Sequence, residues 1–337
     1  MVPPAALPAV DLAPLDGSAG SAARAALLDE IRRAVCDTGF LTVHGHGVGA
    51  SCREGGFEAA RAFFGLPEAA RRRVSPRPWN PASPNRYRGY FPASVDGKEG
   101  FDVGDPLLVA AAPGMPRTPL LEANRLPEEL GASWQRAVAA YFDALSELGA
   151  RLFGAIVEAL GGEPERTAGA FPRPGSASTL RFNRYPVCTS PHTVARDGTA
   201  LCCASHVDNG VLTVLAQDAR AGLQVRDRRG SWCDVPYEAD AFVVNTGLAF
   251  RRLCGERLAA TPHRVVQARE ERLSIPFFFE PRPELPLDPG ELGLPARRDP
   301  VAPETYQAFL ARAMRRFPEY DRPGSKESAP APEPAAR

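Results

Sequence analysis

Two imidazoles and one carboxylate, His206 and Asp208 in His206-Val207-Asp208 and His263 fifty-five residues later, form the most chemically informative set in the chain. Such a donor set suits non-haem Fe(II), because three protein ligands leave open positions for a cosubstrate and O2. Alternate residues of a strand point to one face, so a strand through 206–208 would offer His206 and Asp208 to one ion. His263 would then arrive from a strand distant in sequence. An isolated H-x-D is weak evidence, but the chain holds only five histidines, at positions 44, 46, 192, 206 and 263, which makes the coincidence informative. Nine residues beyond His263 comes Arg272-Leu273-Ser274. In extended backbone Arg272 and Ser274 also share a face, where a guanidinium and a hydroxyl can hold one carboxylate together. That suits a dicarboxylate cosubstrate. Upstream, Leu180 to Tyr185 puts Arg181, Asn183 and Tyr185 on one face of another predicted strand, which Pro186 ends.

From about Thr179 to Pro281, these motifs in this order resemble the iron-binding core of the isopenicillin N synthase-like family of 2-oxoglutarate/Fe(II)-dependent dioxygenases. Leu7 to Leu12 and Gly39 to Val48 are similar to that family's opening strand, helix and second strand, so the resemblance covers nearly the whole chain except its tail. It implies that His206, Asp208 and His263 bind Fe(II) and that Arg272 and Ser274 take the distal carboxylate of 2-oxoglutarate. Tyr185 and Asn183 match positions from which relatives touch the cosubstrate or the substrate. O2 would be consumed, 2-oxoglutarate would leave as succinate and CO2, and a C–H bond of a small molecule would be oxidised. Hydroxylation, desaturation, ring closure and ring expansion all remain open. Asn209 stands where an aromatic residue or histidine is more usual in the family, and Gly247-Leu248 where many relatives have Gly-Asp; neither departure replaces a ligand. Two alternatives stay in play. One is an oxidase like isopenicillin N synthase itself, in which Arg272 and Ser274 hold the substrate carboxylate and no 2-oxoglutarate is used. The other is a non-catalytic ligand-binding jelly roll.

The segment similarly placed to residues 85–102 lines the mouth of the substrate pocket in relatives. Here it holds Arg86, Arg88, Tyr90 and Phe101, so Arg86 or Arg88 is expected to clamp an acidic group while Tyr90 and Phe101 pack against substrate. Arg88, Tyr90 and Phe101 are the candidates carried forward, against the plainer reading of solvated loop residues. His44-Gly45-His46-Gly47 has the spacing of a metal pair but lacks a third ligand nearby, and its glycines explain it as turn chemistry. His192 lies in a stretch with the composition of a loop. Cys202 and Cys203 are close to His206 in sequence, yet soft thiolates favour zinc or iron-sulfur clusters, and the His/Asp/His set makes them unnecessary.

These residues need rigid elements around them. Short β-rich runs at 211–215, 222–225, 232–235, 241–245, 263–266 and 272–278, separated by turns, predict a double-stranded β-helix, or jelly roll. The expected fold is mainly β with flanking α: this core, an N-terminal α/β segment and supporting helices. Apolar spacing predicts helices over 21–36 and about 56–64, one or two over 127–160, and a last one over 304–316. Proline, asparagine and glycine make 75–106 look largely irregular. The corresponding division is 1–110 for the N-terminal segment, 111–175 for supporting helices, 176–285 for the core, 286–322 for the C-terminal helix region and 323–337 for a disordered tail.

With 337 residues and 44% hydrophobic content, the chain can bury a large core in one barrel. Formal net charge is zero and arginines are scattered, which argues against nucleic acid. Seven cysteines without C-x-x-C spacing predict reduced thiols. No apolar run approaches a membrane span, so a cytoplasmic protein is expected. Lys98 and Lys326 are the only lysines among 40 basic residues, leaving 38 arginines, and that usage, with abundant alanine and proline, fits a high-GC bacterial genome. Bacterial specialised metabolism, such as antibiotic biosynthesis, follows as the expected setting. Substrate identity and oligomeric state are not legible.

Overall fold

The β-rich stretch and parts of the N-terminal segment fold together into two sheets, described in a computed structural model over residues 7–16, 20–92, 97–108, 118–187, 193–220, 222–267, 270–296 and 302–314. The strands are β1 (Ala9–Asp11), β2 (Phe40–His44), β3 (Tyr90–Phe91), β4 (Glu99–Gly104), β5 (Thr179–Tyr185), β6 (Thr193–Val194), β7 (Ala200–His206), β8 (Leu212–Gln217), β9 (Leu223–Arg226), β10 (Trp232–Asp234), β11 (Phe242–Thr246), β12 (His263–Val266) and β13 (Arg272–Phe279). The major sheet has the order β1-β2-β11-β8-β13-β5-β4-β3 and the minor sheet β10-β9-β12-β7-β6. Apart from the parallel pair β1 and β2, neighbours are antiparallel. This is the expected jelly-roll core, with β1 and β2 extending the major sheet on one edge and β4 and β3 on the other.

Register sorts the major sheet into two faces. Ser274 lies opposite Asn183 and Gln217, and Arg272 opposite Tyr185, so these side chains share the inner face, towards the minor sheet. Phe277 and Phe279 alternate to the outer face, where Phe142 meets Phe277 edge-on at 5.0 Å. The outer face is covered by helix α4 (Gly131–Ala159), with α1 (Ser21–Asp37) and α2 (Ala50–Gly65) packed on it and on the sheet: α2 also touches β5 and β13, and α1 also touches β1 and β2. The apolar residues whose spacing predicts it, Trp134, Val138, Tyr141, Phe142, Leu145, Leu148, Leu152 and Ile156, are all buried. Each such side chain stabilises by roughly 1.5–3 kcal/mol. The run that was open between one helix and two is a single 29-residue helix.

Three expectations change. Helix α2 begins at Ala50 rather than near Gly56, and the glycine that masked it serves packing: a Cβ on Gly56 would lie 2.7 Å from the ring of Tyr141 on α4. The stretch 75–106 is not largely irregular at its end, because β3 and β4 are there and β4 is buried throughout. The last helix is α7, Tyr306–Met314, shorter than expected at its start. Shorter helices α3 (Glu68–Arg73), α5 (Thr167–Ala170) and α6 (Leu248–Leu253) fill the connections. His192, residues 315–316 and the tail from 323 lie outside the described residues.

Candidate metal and cosubstrate site

His206 closes β7 and stands directly opposite His263, the first residue of the adjacent strand β12. The two rings lie 4.2 Å apart. Asp208 is not on the strand with His206, as strand alternation suggested; β7 ends at His206 and Asp208 sits on the turn into β8. Its Oδ1 is 3.6 Å from Nε2 of each histidine. Among the described residues, these are the one group of three His, Cys, Asp or Glu side chains whose donor atoms could hold a metal, all within 4.8 Å of one another.

Neighbouring groups orient each donor. Nδ1 of His206 is 2.9 Å from the carbonyl of Ala204, and Nδ1 of His263 is 3.3 Å from that of Thr261. A proton on each Nδ1 would point at those carbonyls and leave the Nε2 lone pairs for a cation. Asp208 Oδ2 accepts from Thr213 Oγ1 at 2.6 Å and from Asn245 Nδ2 at 2.7 Å, so Oδ1 is the oxygen left facing the imidazoles. Burial raises the cost of charge on Asp208, but the two histidines and these two donors hold its carboxyl below the usual range. Burial and the neighbouring His206 push His263 down to about 4. Burial also opposes charge on His206, yet Cys203 and Asp208 beside it lift it to about 9.

Next to the triad, Arg272, Ser274, Asn183 and Tyr185 come together on the inner face. Ser274 Oγ is 3.5 Å from both Asn183 Nδ2 and Tyr185 Oη, and the Arg272 guanidinium lies 4.8 Å from the Tyr185 ring centroid. Arg272 is 1% exposed, and its Nε and Nη1 have no hydrogen-bond partner. Its Nη2 makes only a long 3.4 Å bond to Gln217, while Asp218, 4.0 Å from Nε, spends its other oxygen on the Leu273 N–H. A buried guanidinium with two unmatched nitrogens is costly unless an anion completes it. A carboxylate fits that place.

The three expected substrate contacts are not brought to this face. Phe101 is opposite Phe182 in register and stacks on Phe63 at 3.9 Å, within the layer between sheet and helices. Tyr90 pairs with Phe101, and its hydroxyl donates to Glu99 at 3.0 Å. Arg88 is buried, with Nη2 bonded to the Leu120 carbonyl at 2.7 Å and its backbone N–H to Glu122. Along β3 and β4 the positions that face inward are the neighbours of Tyr90 and Phe101, one residue away. Phe91, Arg181 and Phe278 are the neighbours that face inward, with the Arg181 guanidinium between the two rings at 5.7 and 5.6 Å and held bidentately by Asp102. Thr213 and Asn245 were also missed, although a polar residue inside the apolar run Phe242 to Thr246 was a usable signal.

His44 and His46 do different things, consistent with turn chemistry. His44 pairs with Glu238 at 3.1 Å, while buried His46 accepts the Val48 N–H at 3.0 Å between glycines with φ of 55° and 79°. Cys202 and Cys203 are buried outside the donor group; Cys203 Sγ is 3.7 Å from Lys98 Nζ and 3.8 Å from His206 Nδ1.

A jelly roll that gathers two histidines and one aspartate, with a buried, incompletely matched guanidinium on the same inner face, defines the class of a non-haem iron oxygenase. The chain belongs to the 2OG-Fe(II) oxygenase superfamily, whose model matches residues 176–281, and a non-haem dioxygenase N-terminal model matches 7–129. It is 32% identical over 286 residues to a 2-oxoglutarate-dependent dioxygenase of Monascus ruber, covering 81% of this chain and 84% of that one. Isopenicillin N synthase of Streptomyces clavuligerus is 28% identical, covering 86% and 88%. In fold, a Neurospora crassa protein crystallised with α-ketoglutarate is similar at TM-score 0.76 and 23% identity, covering 92% of this chain and 96% of that one. Fe(II) and 2-oxoglutarate are therefore the metal and cosubstrate, and the donor set and buried guanidinium fit them.

Proposed function

We propose that this protein oxidises an unactivated C–H bond of a small molecule in specialised metabolism, acting in the cytoplasm. His206, Asp208 and His263 hold Fe(II), Arg272 and Ser274 hold the distal carboxylate of 2-oxoglutarate, and Tyr185 and Asn183 flank it. Bound iron, 2-oxoglutarate and O2 supply the oxidising power, and the cosubstrate leaves as succinate and CO2. Side chains contribute geometry. The Ala204 and Thr261 carbonyls aim the two Nε2 atoms, Thr213 and Asn245 keep Asp208 offering a single oxygen, and Arg272 fixes where the cosubstrate ends. Substrate would sit against Phe91, Phe278 and the Arg181–Asp102 pair, whose rings exclude water on the inner face. The division of the chain into N-terminal segment, supporting helices, core and C-terminal helix region belongs to the same proposal.

The observation that carries this reading is Arg272, buried with Nε and Nη1 unmatched within reach of Ser274 and Tyr185. Anaerobic titration of the Fe(II)-loaded protein with 2-oxoglutarate tests it. The expected result is the visible charge-transfer band of a keto acid chelated to ferrous iron, lost in Arg272→Ala at the same concentration. Iron binding without a band would turn the reading to an O2-dependent oxidase whose substrate carboxylate meets Arg272.

A further inference from the structure

Asp208 stands on a turn, with Gly210 two residues on, so the position of its carboxylate depends on what grips that turn. One side is held by the start of α6. Leu248 N–H donates to the Asp208 carbonyl at 2.8 Å, Ala249 N–H is 3.1 Å from the carbonyls of both Asn209 and Gly210, and Gly247 N–H reaches that of Val211 at 2.9 Å. The other side is held by Glu280, the residue after β13. Glu280 is buried, its Oε2 accepts the Val211 N–H at 2.9 Å, and a Cβ on Gly210 would fall 1.8 Å from its Oε1. The carboxyl is thus packed against the turn's backbone.

Behind Glu280 lies the C-terminal helix. The phenol of Tyr306, first residue of α7 and 1% exposed, hydrogen-bonds the Glu280 side chain. Two residues earlier Glu304 pairs with Arg252 of α6 at 3.0 Å, so both grips on the turn lead back to residues 304–306. Those residues lie beyond the last position matched by the family model, 281.

We propose that Glu280, steadied by Tyr306, is a positioning residue for Asp208, through which the C-terminal helix sets the affinity of the metal centre. This rests on the reading of Asp208 as a metal ligand. The physical argument is that Asp208 must satisfy Thr213 and Asn245 with Oδ2 while Oδ1 meets the metal, and a site of this kind tolerates displacements of only about 0.5 Å. Without Glu280 the Val211 N–H is buried and unpaired, and the turn beside a glycine regains freedom. Burial, with Asp208 nearby, raises the Glu280 carboxyl to about 8, so it supports the turn at neutral pH without setting a second negative charge beside the ligand.

The test is calorimetric titration of the full chain with Fe(II) under anaerobic conditions, for wild type, Glu280→Gln, Glu280→Leu and Tyr306→Phe, with thermal unfolding recorded alongside. Loss of such supporting contacts typically weakens metal binding by 10–100-fold. Glu280→Leu is expected in that range and Tyr306→Phe at about threefold or more. Glu280→Gln should stay within about threefold of wild type, because its amide oxygen can still accept the Val211 N–H. The 2-oxoglutarate affinity at saturating metal should not change, since Arg272 and Ser274 sit towards the other end of β13. Wild-type metal affinity in both Glu280→Leu and Tyr306→Phe, even with lowered melting temperatures, overturns the proposal and leaves these residues a structural role only. If Glu280→Leu does not fold, Tyr306→Phe, which removes one oxygen, decides. A wild-type chain that binds no Fe(II) sinks the functional reading and this inference together; unchanged variants beside a wild type that binds sink the inference alone.

Discussion

His206 and His263 face each other across one strand pair, and their surroundings separate them: burial and His206 itself push His263 down to about 4, while Cys203 and Asp208, working against burial, raise His206 to about 9. At neutral pH His206 therefore carries a proton on both ring nitrogens, and a metal must displace the one on Nε2. The apparent Fe(II) affinity should tighten by about tenfold per pH unit from pH 6.5 towards 9 and level off above that. Titrations at pH 6.5, 7.5 and 8.5 check it; a flat profile would mean that His206 enters the site already neutral. That these three side chains would come together was legible in the sequence because histidine is scarce here and the R-x-S follows at a fixed interval. Their supports were not: Asn245 and Thr213 come from strands 37 and 5 residues away from Asp208, and no local pattern announces that both converge on one oxygen.

Elements were legible wherever an apolar period ran unbroken, as along α4, and failed where glycine had a tertiary use. Isolated helix propensity favours alanine over glycine by about 1 kcal/mol, so Gly56→Ala in α2 would be expected to stabilise. The ring of Tyr141, fully buried 2.7 Å from the added methyl, reverses the sign. A net loss of about 1–3 kcal/mol is expected from overpacking, read as a lower denaturation midpoint in urea at unchanged Fe(II) affinity. Strand β4 hid for a related reason. Its inward positions are Gly100, Asp102 and Gly104, which read as loop residues, while Glu99, Phe101 and Val103 face the helices. Phe101, stacked between strand and α2, should thus behave as core: Phe101→Ala is expected to cost about 3–5 kcal/mol while the 2-oxoglutarate charge-transfer band persists per folded molecule. Loss of the band without loss of stability would return Phe101 to the substrate pocket.

At the scale of the whole molecule, the group of His206, Asp208 and His263 ties the sheets together, since both histidines belong to the minor sheet while the turn carrying Asp208 leads into β8 and is bonded to Thr213 and Asn245 of the major one. Glu280 extends that tie to the C-terminal helix, and its protonation couples the assembly to pH. Its folded pKa of about 8 lies above the ordinary value of 4.5, with burial the leading cause and Asp208 adding to it. Between those two values the folded chain keeps a proton on Glu280 that the unfolded chain has released, so the contribution of this group to stability falls as pH rises. The contribution is fully present below about pH 4.5 and gone above about 8. Its slope is about 1.4 kcal/mol per pH unit, an upper figure for a site where water can enter. His206 adds a slope of the same sign at the upper end of this range and His263 one of opposite sign at its lower end, so the wild-type curve alone does not isolate Glu280, but both are common to the variant. Glu280→Gln removes the titrating group and keeps the acceptor for Val211. Urea unfolding of the two, with chelator present to keep metal binding out of the comparison, should give free energies that converge at low pH and separate in favour of the variant between pH 5 and 8. Parallel curves would mean that the Glu280 carboxyl is ionised in the fold, and the neutral support assigned to it beneath the metal turn would have to be replaced by a buried charge stabilised by Tyr306 and the Val211 N–H.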